Sequence, residues 1–94
     1  ADLGGLLLVA EAAGRGPLHP DAAALAALDE RSRELLDAVS EERSVRAAAA
    51  RLGRHHSSVQ ERLSVLVDAL GYDPRTSRGH ARYVVARMLL TLGS

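Results

Sequence analysis

The chain has 94 residues, of which 47% are hydrophobic and 2% aromatic, and its formal net charge is zero. Alanine and leucine dominate while β-branched residues are scarce, a composition that favours helices over sheets. The absence of cysteine excludes a disulfide framework, a thiolate metal site and a cysteine nucleophile, and it fits a reducing, cytoplasmic setting.

The N-terminal part of the chain contains an apolar segment followed by two predicted helices. The segment 3–13 predicts a short helix; glycines and a glutamate interrupt it and no basic leader precedes it, so neither a signal peptide nor a membrane span is indicated. The helix-breaking run 14–17 ends it. A second helix is expected from Pro20 to about residue 28, and a third over about 31–42, either separate from the second or continuous with it.

Two further helices are predicted in the middle of the chain, with a glycine between them. Ser44 is suited to cap a helix over 45–52 that ends at Gly53. The next helix is expected to begin at Ser57 or Ser58, because each serine can form a capping box with the residue three positions on, Gln60 or Glu61. Its apolar seam follows steps of four, three and four residues: Val59, Leu63, Leu66 and Leu70.

A last helix is expected from about Ser77 to Leu92, after a stop at Gly71 and a loop that contains Pro74. Its apolar positions are predicted to be buried: Ala81, Val84, Val85, Met88, Leu89 and Leu92. The fold class that these elements indicate is all-α, a compact bundle of five to six helices.

Three spaced residues in the middle of the chain predict a helix-turn-helix. Ala49 is a small residue that can face a partner helix, Gly53 can adopt a left-handed turn four residues on, and Val59 can seat the second helix in the core. Such a unit projects the first turn of its second helix into a major groove about 12 Å wide. We therefore assign the DNA-reading unit to residues 45–70.

The residues around this turn resemble the C-terminal helix-turn-helix of PucR/CdaR-type bacterial transcriptional regulators. In that family a leucine, a histidine, a Thr or Ser, an aliphatic residue and an Arg-Leu pair recur in this order before a Leu-Gly-hydrophobic-Asp stop. Here those positions hold Leu52, His55, Ser58, Val59, Arg62, Leu63 and the run Leu70, Gly71, Tyr72 and Asp73. The resemblance covers about 33–92 and implies a DNA-binding domain with a sensor domain upstream.

The chain departs from the family pattern at two places. Between Val39 and Ser44 it is about one helical turn shorter than the usual spacing, which fits a GAF-sensor-linked subfamily as well as PucR proper. Ser58 stands where threonine is commoner, so the hydroxyl is kept and a methyl group is lost.

Candidate DNA contacts follow from the seam and from the family pattern. The polar residues opposite the seam are the candidates for reading bases, because Gln can pair with adenine and Glu can accept from cytosine. Phosphate contacts are expected from arginines near the turn. The full predicted set is Arg46, Arg51, Arg54, His55, His56, Ser57, Ser58, Gln60, Glu61 and Ser64.

Structural roles compete with several of these assignments. As an alternative to contacting DNA, the two serines, Gln60 and Glu61 can act solely in capping the helix. His55 can likewise be a buried turn residue whose ring hydrogen-bonds a backbone group. Arg62 can reach DNA or form a salt bridge with Asp37, Glu41 or Glu42. Adjacent histidines point apart and have no partner at helical spacing, so no metal site is expected; nor are a cofactor or catalysis.

The charge distribution supports a polyanionic partner. Residues 1–42 hold nine acidic residues and three arginines, a net charge of −6, whereas residues 43–94 hold nine arginines and three acidic residues, a net charge of +6. We expect sequence-specific binding of double-stranded DNA by residues 33–94, with 1–32 as a linker or dimerisation segment of a homodimer that forms there or through the sensor domain. The alternative is a helical protein-protein interaction module that binds no DNA.

Overall fold

A computed structural model of the chain describes residues 19–93, which form five α-helices and no strand. The helices are α1 (Pro20–Ala26), α2 (Glu30–Glu42), α3 (Val45–Leu52), α4 (His56–Leu70) and α5 (Ser77–Gly93). The predicted all-helical class is confirmed. The helix predicted over 3–13 lies outside the described residues. Within residues 19–93, no helix is both long and apolar enough to cross a lipid bilayer.

Short polar side chains cap the starts of α2 and α3. Asp29 accepts a hydrogen bond from the backbone N–H of Ser32 at 2.8 Å, and Ser44 accepts from Ala47 at 3.2 Å, as its predicted cap requires. These bonds satisfy amide donors that have no partner within their own helix. As a result α2 and α3 begin within one residue of the expected positions.

The predicted start of α4 was wrong. The N-cap is His55, whose Nδ1 accepts from the backbone N–H of Ser57 at 3.3 Å, while the Ser57 hydroxyl lies 2.8 Å from the same nitrogen. The ring nitrogen of His55 therefore caps the helix in place of the predicted serine hydroxyl. Neither expected capping box, Ser57 with Gln60 or Ser58 with Glu61, is present.

The core lies where α1, α2 and α4 meet, with α3 and α5 packed around it. The predicted α4 seam is confirmed, since its four residues are all buried. Leu25 of α1 and Leu35 and Leu36 of α2 are fully enclosed against it. Ala48 and Ala49 give α3 a thin buried face, which lets its backbone approach α2 and α4 closely.

The face of α5 that packs on the core differs from the predicted one. Gly79, Tyr83 and Ala86 are buried, whereas none of the six residues expected inside is buried. Five of them are exposed: Ala81, Val84 (42%), Val85 (54%), Met88 (53%) and Leu92 (40%). Small residues on the buried face allow close approach. A Cβ at Gly79 would lie 1.7 Å from the Asp73 carbonyl oxygen, so only glycine fits there.

Polar bonds fix which face of α5 is turned inward. The Tyr83 hydroxyl donates to the Asp37 carboxylate, which also pairs with Arg87 Nε at 3.2 Å. One turn away, His80 Nδ1 lies 2.7 Å from the hydroxyl of buried Ser40. Burial first and the bond to Asp37 second raise the pKa of Tyr83 far above its usual value. These partners select one of the two apolar faces that α5 offers.

Candidate nucleic-acid interface

A glycine-terminated turn joins α3 to α4. Gly53 takes the left-handed conformation (φ +67°, ψ +33°), its N–H donates to Ala50 at 3.2 Å, and the N–H of Arg54 donates to Ala49 at 2.9 Å. This pair of bonds is the Schellman arrangement that reverses a chain at the end of a helix. Ala49 is 3% exposed and Val59 1%, so the three spaced positions act as predicted.

The first two turns of α4 present polar side chains to solvent. Of residues 56–62 only Val59 is buried. At about 100° per residue, Ser57, Glu61 and Ser64 lie opposite the seam, Gln60 lies on one flank, and Ser58 on the other. All five are exposed, which the predicted contacts with a duplex require.

The two histidines of the turn are both exposed. Their rings stack with centroids 4.8 Å apart and an interplanar angle of 23°. The alternative that His55 is a buried turn residue whose ring hydrogen-bonds a backbone group is therefore half right: the ring accepts from the N–H of Ser57, but the residue is exposed. No group of three or more potential metal-ligating side chains occurs among residues 19–93.

The three arginines predicted to contact phosphates differ in their partners. Arg46 is exposed and Arg54 half-buried, and neither makes an ion pair within residues 19–93. Arg51 is held by Glu41 at 2.6 Å and lies 3.6 Å from Glu42, and these carboxylates raise its pKa. Such exposed pairs are weak and salt-sensitive, so Arg51 can exchange them for a phosphate.

Arg62 makes a contact that the sequence did not predict. Its guanidinium donates to the hydroxyl of buried Ser32 at 2.9 Å and pairs with none of Asp37, Glu41 and Glu42. Ser32 lies 30 residues earlier, in the first turn of α2, so no local spacing could have indicated it. The bond ties the flank of α4 to the start of α2.

Val65 is a surface residue that sequence reasoning missed. It is 56% exposed and lies near Glu61 and Asp68 on the outer side of α4. The sequence signal was present, because Val65 falls between the seam positions Leu63 and Leu66. An exposed aliphatic side chain there can contact a thymine methyl group.

The turn, the buried seam and the exposed polar start of α4 define the chain as a helix-turn-helix domain of the kind that regulates transcription. It belongs to the PucR C-terminal helix-turn-helix domain family, whose model matches residues 33–89. This is a family of DNA-binding domains and not of enzymes. No curated protein and no solved structure matches the chain.

Proposed function

We propose that the domain binds duplex DNA sequence-specifically, with the start of α4 in the major groove and α3 across the phosphate backbone. The observation that carries this proposal is the solvent exposure of Ser57, Gln60, Glu61 and Ser64 directly after the left-handed turn at Gly53. Their side chains can donate to and accept from base edges, and Arg46 of α3 and Arg54 of the turn, which make no ion pair within residues 19–93, are available for phosphates.

The proposal includes a homodimer in the cytoplasm of a bacterium, with a sensor domain upstream in the full-length protein. One short helix reads only a few base pairs, so two copies reading two half-sites are needed for useful specificity. The family description places its helix-turn-helix at the C-terminal end of regulators, which supports an upstream sensor.

Selection from a random duplex library tests sequence specificity. The wild-type domain should enrich a defined sequence arranged as two related half-sites about one helical turn, or a multiple of it, apart. Gln60→Ala should change the preferred base at one position per half-site, at a cost of about 1–3 kcal/mol for the original base. An unaltered selected sequence would remove Gln60 from the reading set.

A salt series on the selected duplex separates DNA binding from the alternative interaction module. Affinity should fall steeply with salt, and Arg46→Gln should weaken binding to all sequences and lower the salt slope by about 1 per half-site. Arg78→Gln is the matched control, because Arg78 adjoins Tyr72 and Asp73 beyond the far end of α4 and should leave the slope unchanged. Binding that hardly responds to salt would favour the protein-protein interaction module.

A further inference from the structure

A pocket of about 240 Å³ lies beside the start of α4, where the α3–α4 turn and the start of α2 meet. It is lined by Asp29, Arg31, Ser32, Arg54, Ser58 and Arg62. Three arginines from three separate elements thus line one space, together with a single acidic residue. The lining carries a formal net charge of +2.

The single carboxylate does not neutralise the pocket. Asp29 is engaged as the N-cap of α2, where the hydroxyl and backbone N–H of Ser32 lower its pKa, with smaller contributions from the charges of Arg62 and Arg33. Arg31 and Arg54 make no ion pair within residues 19–93. Positive charge gathered in this way without counter-charge is suited to an anion.

The position of the pocket indicates which anion. Ser58 and Arg62 are four residues apart on one flank of α4, between the outer face with Ser57 and Glu61 and the buried seam. When the outer face enters a major groove, this flank faces the wall of the groove, which is the phosphate backbone. The guanidinium fork matches phosphate geometry, and a serine hydroxyl can add one more donor.

We propose that this pocket binds one backbone phosphate of the duplex, held by Arg31, Arg54 and Arg62 with the Ser58 hydroxyl. The inference rests on the proposed function and adds Arg31 and Arg62 to it. The bond from Arg62 to Ser32 presets its guanidinium, so less side-chain freedom is lost on binding. The site fixes the register of α4 in the groove and reads no base.

The number of phosphates contacted can be counted from the salt dependence. Arg31→Gln and Arg62→Gln should each weaken binding about tenfold, leave the selected sequence unchanged and lower the salt slope. Because the slope counts neutralised phosphates at about 0.9 each, the double variant should lower it by about 1 for each half-site, which is about 2 for a dimer on two half-sites, and not by twice that amount. A fall of about 2 per half-site, or no change in either single variant, would overturn the shared site.

Duplexes carrying one uncharged methylphosphonate at a time provide the direct test. One position per half-site should weaken the wild-type domain about tenfold and weaken Arg31→Gln clearly less, because only Arg54, Arg62 and Ser58 then hold that phosphate, while every other position affects both proteins alike. Arg31 makes no side-chain hydrogen bond or ion pair within residues 19–93, so its replacement should leave the unfolding midpoint unchanged. Arg62→Lys keeps the charge and separates its binding role from its contact with Ser32.

Two outcomes distinguish the possible failures. If the wild-type domain binds a selected duplex and Arg46→Gln lowers the salt slope, but no methylphosphonate position depends on Arg31, the pocket assignment fails and the proposed function stands. If no duplex is selected, both fail. Inorganic phosphate should raise the melting temperature of the wild type and of Arg31→Gln equally; a rise that needs Arg31, without coupling to any duplex position, would assign the pocket to free phosphate and overturn the proposal.

Discussion

Three helix ends take up a left-handed backbone, two with glycine (Gly53 and Gly71) and one without. Gly53 ends α3 at φ +67°, and Arg43 ends α2 at φ +58°. A side chain costs about 1–2 kcal/mol in this conformation, because its Cβ crowds the neighbouring carbonyl oxygen. The turn between α3 and α4 is therefore unstrained, whereas the turn between α2 and α3 keeps the strain of Arg43.

Replacing Gly53 with alanine and Arg43 with glycine should change the free energy of unfolding in opposite directions. Gly53→Ala should lower the free energy of unfolding by about 1–2 kcal/mol through local backbone strain and not through a clash with another element, since the added Cβ meets no atom of the surrounding structure within 4 Å. Arg43→Gly should raise it by roughly 1 kcal/mol. Equilibrium urea unfolding measures both changes, and Gly53→Asn should fall between wild type and Gly53→Ala. Equal effects of both exchanges would contradict the strain argument.

At the scale of single residues, the features predicted correctly from the sequence are those that depend on residues close together in the chain. Ala49, Gly53 and Val59 were found because their spacing is local. The cap at His55 was missed because an imidazole nitrogen can replace a serine hydroxyl, and the pattern alone does not distinguish them. The contact of Arg62 with Ser32 was missed because it forms only when α2 and α4 pack together.

Ion pairs join α1 and α5 at the level of whole elements. Arg82 donates twice to Asp21, at 2.7 and 2.9 Å, and its guanidinium also lies 4.5 Å from the centre of the Tyr72 ring. The hydrogen bond from Arg82 is the largest cause that lowers the pKa of Asp21, although partial burial opposes it. The pair fixes α1 over the start of α5.

Asp21→Asn should destabilise the domain in a pH-dependent way. Since the folded pKa of Asp21 is lowered, its contribution is complete above the unfolded value of about 3.9 and is lost as pH falls through the folded value. The variant should thus be less stable at neutral pH and approach wild type in strong acid, as thermal unfolding across pH can show. Asp68→Asn is the control, because that exposed side chain has no partner within residues 19–93, and its difference from wild type should be small throughout. A stability difference between Asp21→Asn and wild type that does not change with pH would contradict the expected coupling between ionisation of Asp21 and stability.

The orientation of α5 shows why element packing exceeds what a pattern can predict. The apolar residues of α5 occur on two faces of the helix, and their periodicity in the sequence does not indicate which face is buried. The choice depends on Asp37 of α2 and on the close approach that Gly79 and Ala86 permit, contacts that exist only in the assembled bundle.

Across the whole molecule, the acidic and basic halves of the chain bind each other. Arg51, Arg82 and Arg87 pair with Glu41, Asp21 and Asp37, so three of the nine C-terminal arginines pair with the acidic half of the chain, and a fourth, Arg75, pairs with Asp73. The charge asymmetry of the sequence thus serves assembly of the fold as well as the binding of DNA that we propose. The pocket arginines, with Arg46, are outside these pairs.

The family match begins at residue 33, yet α1 contributes to the same core. Leu25→Ala tests whether residues 1–32 are separable, as the sequence led us to expect. Because Leu25 is completely buried, the substitution should cost about 2–5 kcal/mol, a large part of the roughly 5–15 kcal/mol that stabilises a small domain. Val65→Ala, at an exposed site, should change stability little. A small effect of Leu25→Ala in urea unfolding would support an independent N-terminal segment.

The enclosure of the phenol rings gives the chain its own optical reporter. It has two tyrosines and no tryptophan, and burial is the main cause that raises the pKa of both Tyr72 and Tyr83. A raised pKa in the folded state means that alkali above the unfolded value of about 10 weakens the fold, because ionised phenol is accommodated better once the chain opens. Ultraviolet absorbance of tyrosinate should therefore follow cooperative opening of the bundle, without any added chromophore.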